Sequence, residues 1–252
     1  MIPSHALRTT AALVILAAMS VGCGRSYDIT GMSLEELEAA AEAAFSDGRN
    51  RDAEDLYTGL MYRFPGAAHT DTYLYRLSVS QGRLGLWADA EFGFRRLVRD
   101  FPRSAWADDA QLALARLFWK QRRDYRKDTT PVDNAMVELA AFYERYPGSE
   151  LMDQAESLRE SIYDLLARRA LFIGRFYARR HRYDAALLYL NEAMNKYGET
   201  RWKADILIAM ASANANQGND FSARRLYQRA RDECQLSPEQ DAAVQEGLAE
   251  VQ

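Results

Sequence analysis

Histidine and cysteine are scarce in this chain: three of one and two of the other in 252 residues. His5, His69 and His181 stand far apart, and Cys23 and Cys234 sit in unlike settings, so neither a disulfide framework nor a zinc site with regular ligand spacing is written here. The HExxH pair, the glycine-rich phosphate loop and the nucleophile elbow are all missing. Adjacent carboxylates such as Asp108 and Asp109 fall on segments that read as hydrated helix faces. These absences point to a non-enzymatic protein without metal or cofactor. A strong excess of either charge is missing too: 32 basic against 36 acidic residues give -4, which supplies no general reason to expect nucleic acid as a partner. The apolar run Ala11–Met19 is too short to cross a bilayer.

That run has another use. Arg8 precedes it and Ser20-Val21-Gly22-Cys23 follows, an order that reads as an export signal over residues 1–22. The last four residues resemble a bacterial lipobox, whose cysteine is lipidated and becomes the mature amino terminus. Cys23 is therefore the expected lipidation site and membrane anchor, and Gly24 after it implies the outer membrane by the same resemblance. Residues 23–32 read as a lipidated tether and 33–252 as the repeat domain, opened by Ser33 and Glu36 in a capping-box arrangement.

The repeat shows in one pattern that returns along the chain. Ala53, Tyr57, Leu60 and Phe64 recur as Ala90, Phe94, Leu97 and Phe101, as Ala135, Leu139, Phe142 and Tyr146, as Ala186, Leu190, Ala193 and Tyr197, and more loosely as Ala223, Tyr227, Ala230 and Cys234. Offsets of four, seven and eleven fall on one face of an α-helix. The alanine lets a partner helix come close, and Pro65, Pro102 and Pro147 mark where three of these helices must stop. Cys234 reads as a small buried hydrophobe in the place of an aromatic. Together with Gly174 and Tyr177 upstream of Ala186, the pattern predicts an all-α, tetratricopeptide-like superhelix of about five helix-turn-helix repeats. Ser104 is the expected N-cap of the third unit, 151–181 one helix of about eight turns, and the segment after Ser237-Pro238 a short closing helix.

Three regions carry surface chemistry, each with two readings. Phe45, Tyr75 and Trp119 lie on first helices away from the packing stripe, as lining of a peptide groove or as packing between repeats. Residues 120–131, five of them basic, form a hydrated loop or a docking surface for an acidic partner or lipid head groups. Arg168, Arg169, Arg175, Arg179, Arg180 and Arg182 form a hydrated face or a partner surface.

The segment Asp124–Tyr197 holds Asp128-Thr129-Thr130, Tyr146-Pro147-Gly148-Ser149, Leu166-Ala167, Phe176-Tyr177-Ala178 and Tyr183-Asp184-Ala185-Ala186 in order. With the lipobox, this order resembles the BamD family of outer membrane assembly lipoproteins, also called YfiO or ComL. The chain differs at Ala170 and Tyr189, where many relatives carry Glu and Arg. The resemblance implies a lipid-anchored scaffold of the β-barrel assembly machinery at the outer membrane, facing the periplasm. Its implied partners are a BamA-like barrel protein, other subunits of that machinery and unfolded outer membrane protein segments. The competing reading is a tetratricopeptide lipoprotein adaptor for peptidoglycan or a cell-wall enzyme.

Overall fold

A computed structural model describes residues 28–251; the expected signal segment 1–22 and the expected lipidation site Cys23 lie outside them. Eleven α-helices and no strand occur among the described residues. They are α1 (Leu34–Ser46), α2 (Asn50–Arg63), α3 (Thr70–Leu84), α4 (Trp87–Asp100), α5 (Ala107–Lys120), α6 (Thr130–Arg145), α7 (Met152–Ala178), α8 (Tyr183–Tyr197), α9 (Lys203–Ala215), α10 (Asp220–Glu233) and α11 (Pro238–Glu250). Five helix pairs are followed by a closing helix, in keeping with tetratricopeptide-type repeats. Packing divides the chain into two compact units, one ending at Ala110 and the other beginning at Gln111.

The turn inside four of the five pairs is the same device. A helix leaves its last carbonyls without partners, and a left-handed residue lets the chain fold back to supply them. Gly48, Gly85 and Gly218 take that conformation at φ +70°, +78° and +77°. The amides one residue later, of Arg49, Leu86 and Asn219, donate back to the carbonyls of Ala44, Gln81 and Asn214, each at 2.9 Å. In the fourth pair the left-handed residue is His181, at φ +56°, and Arg182 N–H donates to Tyr177 O at 3.1 Å. A β-carbon there crowds the following carbonyl, which costs about 1–2 kcal/mol. His181 Nδ1 lies 2.8 Å from the Tyr183 hydroxyl, an exposed contact that offsets part of this cost.

Connections between pairs repeat as well. Phe64, Phe101 and Tyr146 each sit at φ between -128° and -124° and ψ between 52° and 60°, outside the helical region as the residue before a proline must be. Each closes its helix by donating to the carbonyl four residues back, at 2.9 Å. In the connection to the third repeat Ser104 accepts the Trp106 amide at 3.1 Å and so closes this turn; α5 begins three residues after it, at Ala107, which corrects the expected N-cap.

The five stripes pack as their spacing predicts. In every one the first three residues are buried and the fourth is half-buried, because that fourth residue stands at the end of its helix or one position beyond it. Cys234 shares this fate: it is half-buried, and burial pushes its thiol pKa up. Close approach is required between α7 and α8, where a β-carbon on Gly174 would fall 2.6 Å from Leu190 Cγ. α7 runs 27 residues, roughly 40 Å, and spans two of the second unit's clusters: Leu158 and Ile162 pack with α5 and α6, Ala167 and Leu171 with α8 and α9. α11 covers the last pair with Val244, and Val251 just beyond it is buried in the same cluster.

Irregular segments are fastened by arginines that donate to peptide carbonyls. Arg63 donates to Ile29 O, to Thr30 O at 3.3 Å and to Met32 O at 2.8 Å. Arg169 Nη1 donates to Tyr125 O at 2.7 Å and Lys127 O at 2.6 Å. Arg224 Nε donates to Val251 O at 3.0 Å.

Replacing the fully buried Ala186 with Leu is expected to overpack the α7–α8 contact and destabilise the second unit by about 1–3 kcal/mol in chemical denaturation. An unchanged midpoint would contradict the packing. His181→Gly should instead stabilise the protein by about 1 kcal/mol through relief of the left-handed strain. A lower midpoint would show that the Tyr183 contact outweighs it.

Candidate partner-binding surfaces

Among the described residues there is no group of three or more His, Cys, Asp or Glu able to hold a metal ion, and no helix long and apolar enough to cross a membrane. The sequence-predicted surface residues divide by environment.

Phe45 and Tyr75 belong to the first unit and are both half-buried in aromatic contacts between helices. Phe45 meets the ring of Tyr57 edge-on at 6.3 Å and lies under the guanidinium groups of Arg76 and Arg83 at 5.5 and 4.9 Å. Tyr57 is the centre of that cluster: fully buried, stacked on Tyr73 at 6.2 Å, and donating its hydroxyl to Glu42 at 3.3 Å. Burial raises its pKa. Tyr75 stacks on Trp106 at 4.6 Å and 14° and leans on Phe94. These rings join neighbouring repeats, with offset and edge geometries that add to area burial. The first unit also carries an apolar groove of about 360 Å³ over Leu74, Leu77 and Gly93, rimmed by Tyr62 and Phe92, which are 86% and 66% exposed. No expectation attached to it.

Trp119 lies in the second unit, in different company. It lines a cleft of about 300 Å³ with Arg122, Tyr125, Leu165, Arg168 and Arg201. Arg122 lies 3.9 Å over the Trp119 ring and donates to Trp119 O at 2.8 Å. Arg168 lies 4.3 Å over Tyr125 and 5.5 Å over Trp202, and Arg201 lies 5.4 Å over Trp202 while pairing with Asp164 at 2.7 Å. The structure thus joins one proposed groove residue, Trp119, to one proposed partner-surface residue, Arg168. Arg122, Tyr125 and Arg201 complete the cleft, and no sequence pattern marked Arg201.

The remaining arginines spread along α7 and its turn. Arg169 is half-buried and holds the 121–129 loop by the two carbonyls named above, with Tyr125 edge-on to Phe172 at 5.9 Å. Within the loop Asp124 pairs with Arg126 at 2.9 Å, and the hydrogen bonds from Arg126 hold the Asp124 carboxyl well below the usual carboxylate range. Arg175 pairs with Asp205 at 2.7 Å, and Asp205 also accepts from Gln240 at 2.8 Å, tying α7, α9 and α11. Arg180 lies 3.7 Å over Phe176. Arg179 and Arg182 are exposed at the α7–α8 turn. Tyr189 lies flat on Tyr177 at 5.6 Å and 6°.

A family model described as YfiO, outer membrane lipoprotein, matches residues 34–229. Among curated relatives, the outer membrane protein assembly factor BamD of Xylella fastidiosa (strain 9a5c) is 22% identical over 231 residues, covering 86% of this chain and 78% of the relative. The protein of the same name from Caulobacter vibrioides is 22% identical over 223 residues, covering 86% and 72%. Among solved structures, the TPR2AB domain of yeast Sti1 in its pHSP90 complex is 12% identical, covers 87% of this chain and 83% of that one, and gives a TM-score of 0.46.

Replacing Arg169 with Ala removes both carbonyl contacts to the 121–129 loop. Amide hydrogen exchange over that loop should rise about tenfold or more while α7 keeps its protection; unchanged exchange would show that the Tyr125 side chain alone suffices.

Proposed function

Because the chain belongs to the YfiO family of outer membrane lipoproteins, we propose that it is a lipid-anchored, non-catalytic scaffold of the machinery that folds and inserts β-barrel proteins into the outer membrane. The observation that carries this reading is the family match from Leu34 to Arg229, which takes in all five stripes except Ala230 and Cys234 at the end of the last. The relatives named as outer membrane protein assembly factor BamD support it across most of the chain. Its partners on this reading are a BamA-like barrel protein, other subunits of the machinery and segments of unfolded outer membrane proteins. Stacked helix pairs suit such work, since they offer preformed faces to which an extended or helical segment can bind without refolding the scaffold.

The anchor in this proposal is a lipidated Cys23, facing the periplasm. The tether merges with the body early: Ile29 packs against the α1–α2 cluster, and Arg63 grips the carbonyls of residues 29, 30 and 32. Ile29 is the sixth residue after Cys23, so at most roughly 20 Å of extended chain lies between lipid and body. The first helix pair would then work close to the membrane surface, with little freedom to move away from it.

Affinity purification from native membranes tests both parts. The natural chain should co-purify with a barrel-forming assembly subunit, and Cys23→Ser should move to the soluble periplasmic fraction. Recovery of no such subunit would remove the scaffold reading. Full membrane retention of the Cys23→Ser chain would remove the single-anchor reading.

A further inference from the structure

The cleft of the second unit has an unusual charge arrangement. Three guanidinium groups, from Arg122, Arg168 and Arg201, meet one carboxylate, Asp164, among its lining residues. Asp164 is taken by Arg201 at 2.7 Å. Arg122 satisfies one of its donors on a backbone carbonyl, which carries no charge. Arg168 is exposed and has no hydrogen-bond acceptor or acidic partner among the described residues; it rests only on the faces of Tyr125 and Trp202. Two positive charges are thus left without a counter-charge in the cleft.

Contact with a ring uses none of the N–H donors of these groups. A guanidinium lying flat on an aromatic ring keeps its N–H donors directed around its rim, where they can engage a carboxylate in bidentate fashion. The stack also fixes the group before binding, so less rotamer freedom is lost when the ligand arrives. Between the arginines lie apolar surfaces of Trp119, Tyr125 and Leu165. The cleft shares Ser161, Asp164 and Arg201 with a larger groove of about 750 Å³ that continues past Tyr163, Tyr197 and Glu199. A compact anion would fill only one end of this space.

We propose that the Trp119–Arg122–Arg168–Arg201 cleft binds an extended acidic peptide segment of a partner protein, with carboxylates on Arg168 and Arg122 and an apolar side chain against Trp119. The interleaving of charge with aromatic faces, and the continuation of the cleft into the longer groove, fit alternating acidic and apolar side chains along an extended segment. This assignment rests on the cleft itself and does not require the scaffold reading above.

The test uses the full-length chain in detergent and a synthetic probe, acetyl-Glu-Leu-Glu-Phe-Glu-Leu-Glu-amide, with its Gln-for-Glu counterpart, in titrations followed by tryptophan fluorescence or calorimetry. The Glu peptide should bind at least tenfold more tightly than the Gln peptide, and more weakly as salt rises. Arg168→Ala should weaken it at least fivefold. Arg201→Ala, at a side chain 72% exposed and therefore safe for folding, should weaken it as well. Arg179→Ala, on the exposed turn, should leave it unchanged. Equal binding of the two peptides, no loss in Arg168→Ala with its helical circular dichroism intact, or an equal loss in Arg179→Ala would overturn the proposal. So would absent peptide binding combined with Arg168-dependent binding of the Cys23→Ser chain to phosphatidylglycerol vesicles, which would reassign the cleft to lipid phosphate.

Discussion

A helix cannot turn back on itself within three residues unless something supplies partners for its last carbonyls, and the rest of this fold follows from how that is done. In four pairs a left-handed residue brings the next amide back onto the carbonyl five positions earlier. The second helix then starts in the same relation to the first each time, with residues 49, 86, 182 and 219 all near ψ 65–69°. From that fixed start, Ala53, Ala90, Ala186 and Ala223 reach the same depth and are all fully buried. The third pair lacks this turn and uses the 121–129 loop instead. That loop is also where an aromatic, Tyr125, and a surface arginine, Arg168, come into register with α7.

Much of this was legible in the chain because its cause is local. Offsets of four, seven and eleven describe a helix face whatever lies opposite, and a proline stops a helix through its own ring and missing amide. The stripes, the ends before Pro65, Pro102 and Pro147, the 27-residue helix and the closing helix after Ser237 were all open to that reasoning. Ser104 was misplaced by a neighbouring cause: the same hydroxyl chemistry that caps helices also closes the turn before one, and here it does the second. Stacking of Phe45 and Tyr75 was not legible, since the partners Tyr57 and Trp106 are set by how helices meet. The cleft was less so. Trp119, Arg168 and Arg201 are separated by dozens of residues, and only the packing of α7 against its neighbours makes them one surface.

Arginine does two kinds of work in the molecule. Arg76, Arg83, Arg122, Arg168 and Arg180 lie on aromatic faces, where the flat cation and the ring quadrupole attract while the rim of donors stays available. Lysine would hold none of these positions as well, because its charge is a point on a flexible stem. Exposed ion pairs such as Lys196–Glu192 contribute little by comparison, being screened and mobile. The basic character of α7 and the turn after it is thus partly architecture, through Arg169 and Arg175, and partly unspent, through Arg168 and Arg179.

Arg63, Arg169 and Arg224 hold their segments by peptide oxygens, which every amino acid presents alike. The grip is therefore indifferent to the side chains of the segment it holds. Residues 30, 127 and their exposed neighbours can be substituted without loosening the frame, whereas loss of the arginine beneath a segment would release it whatever its side chains.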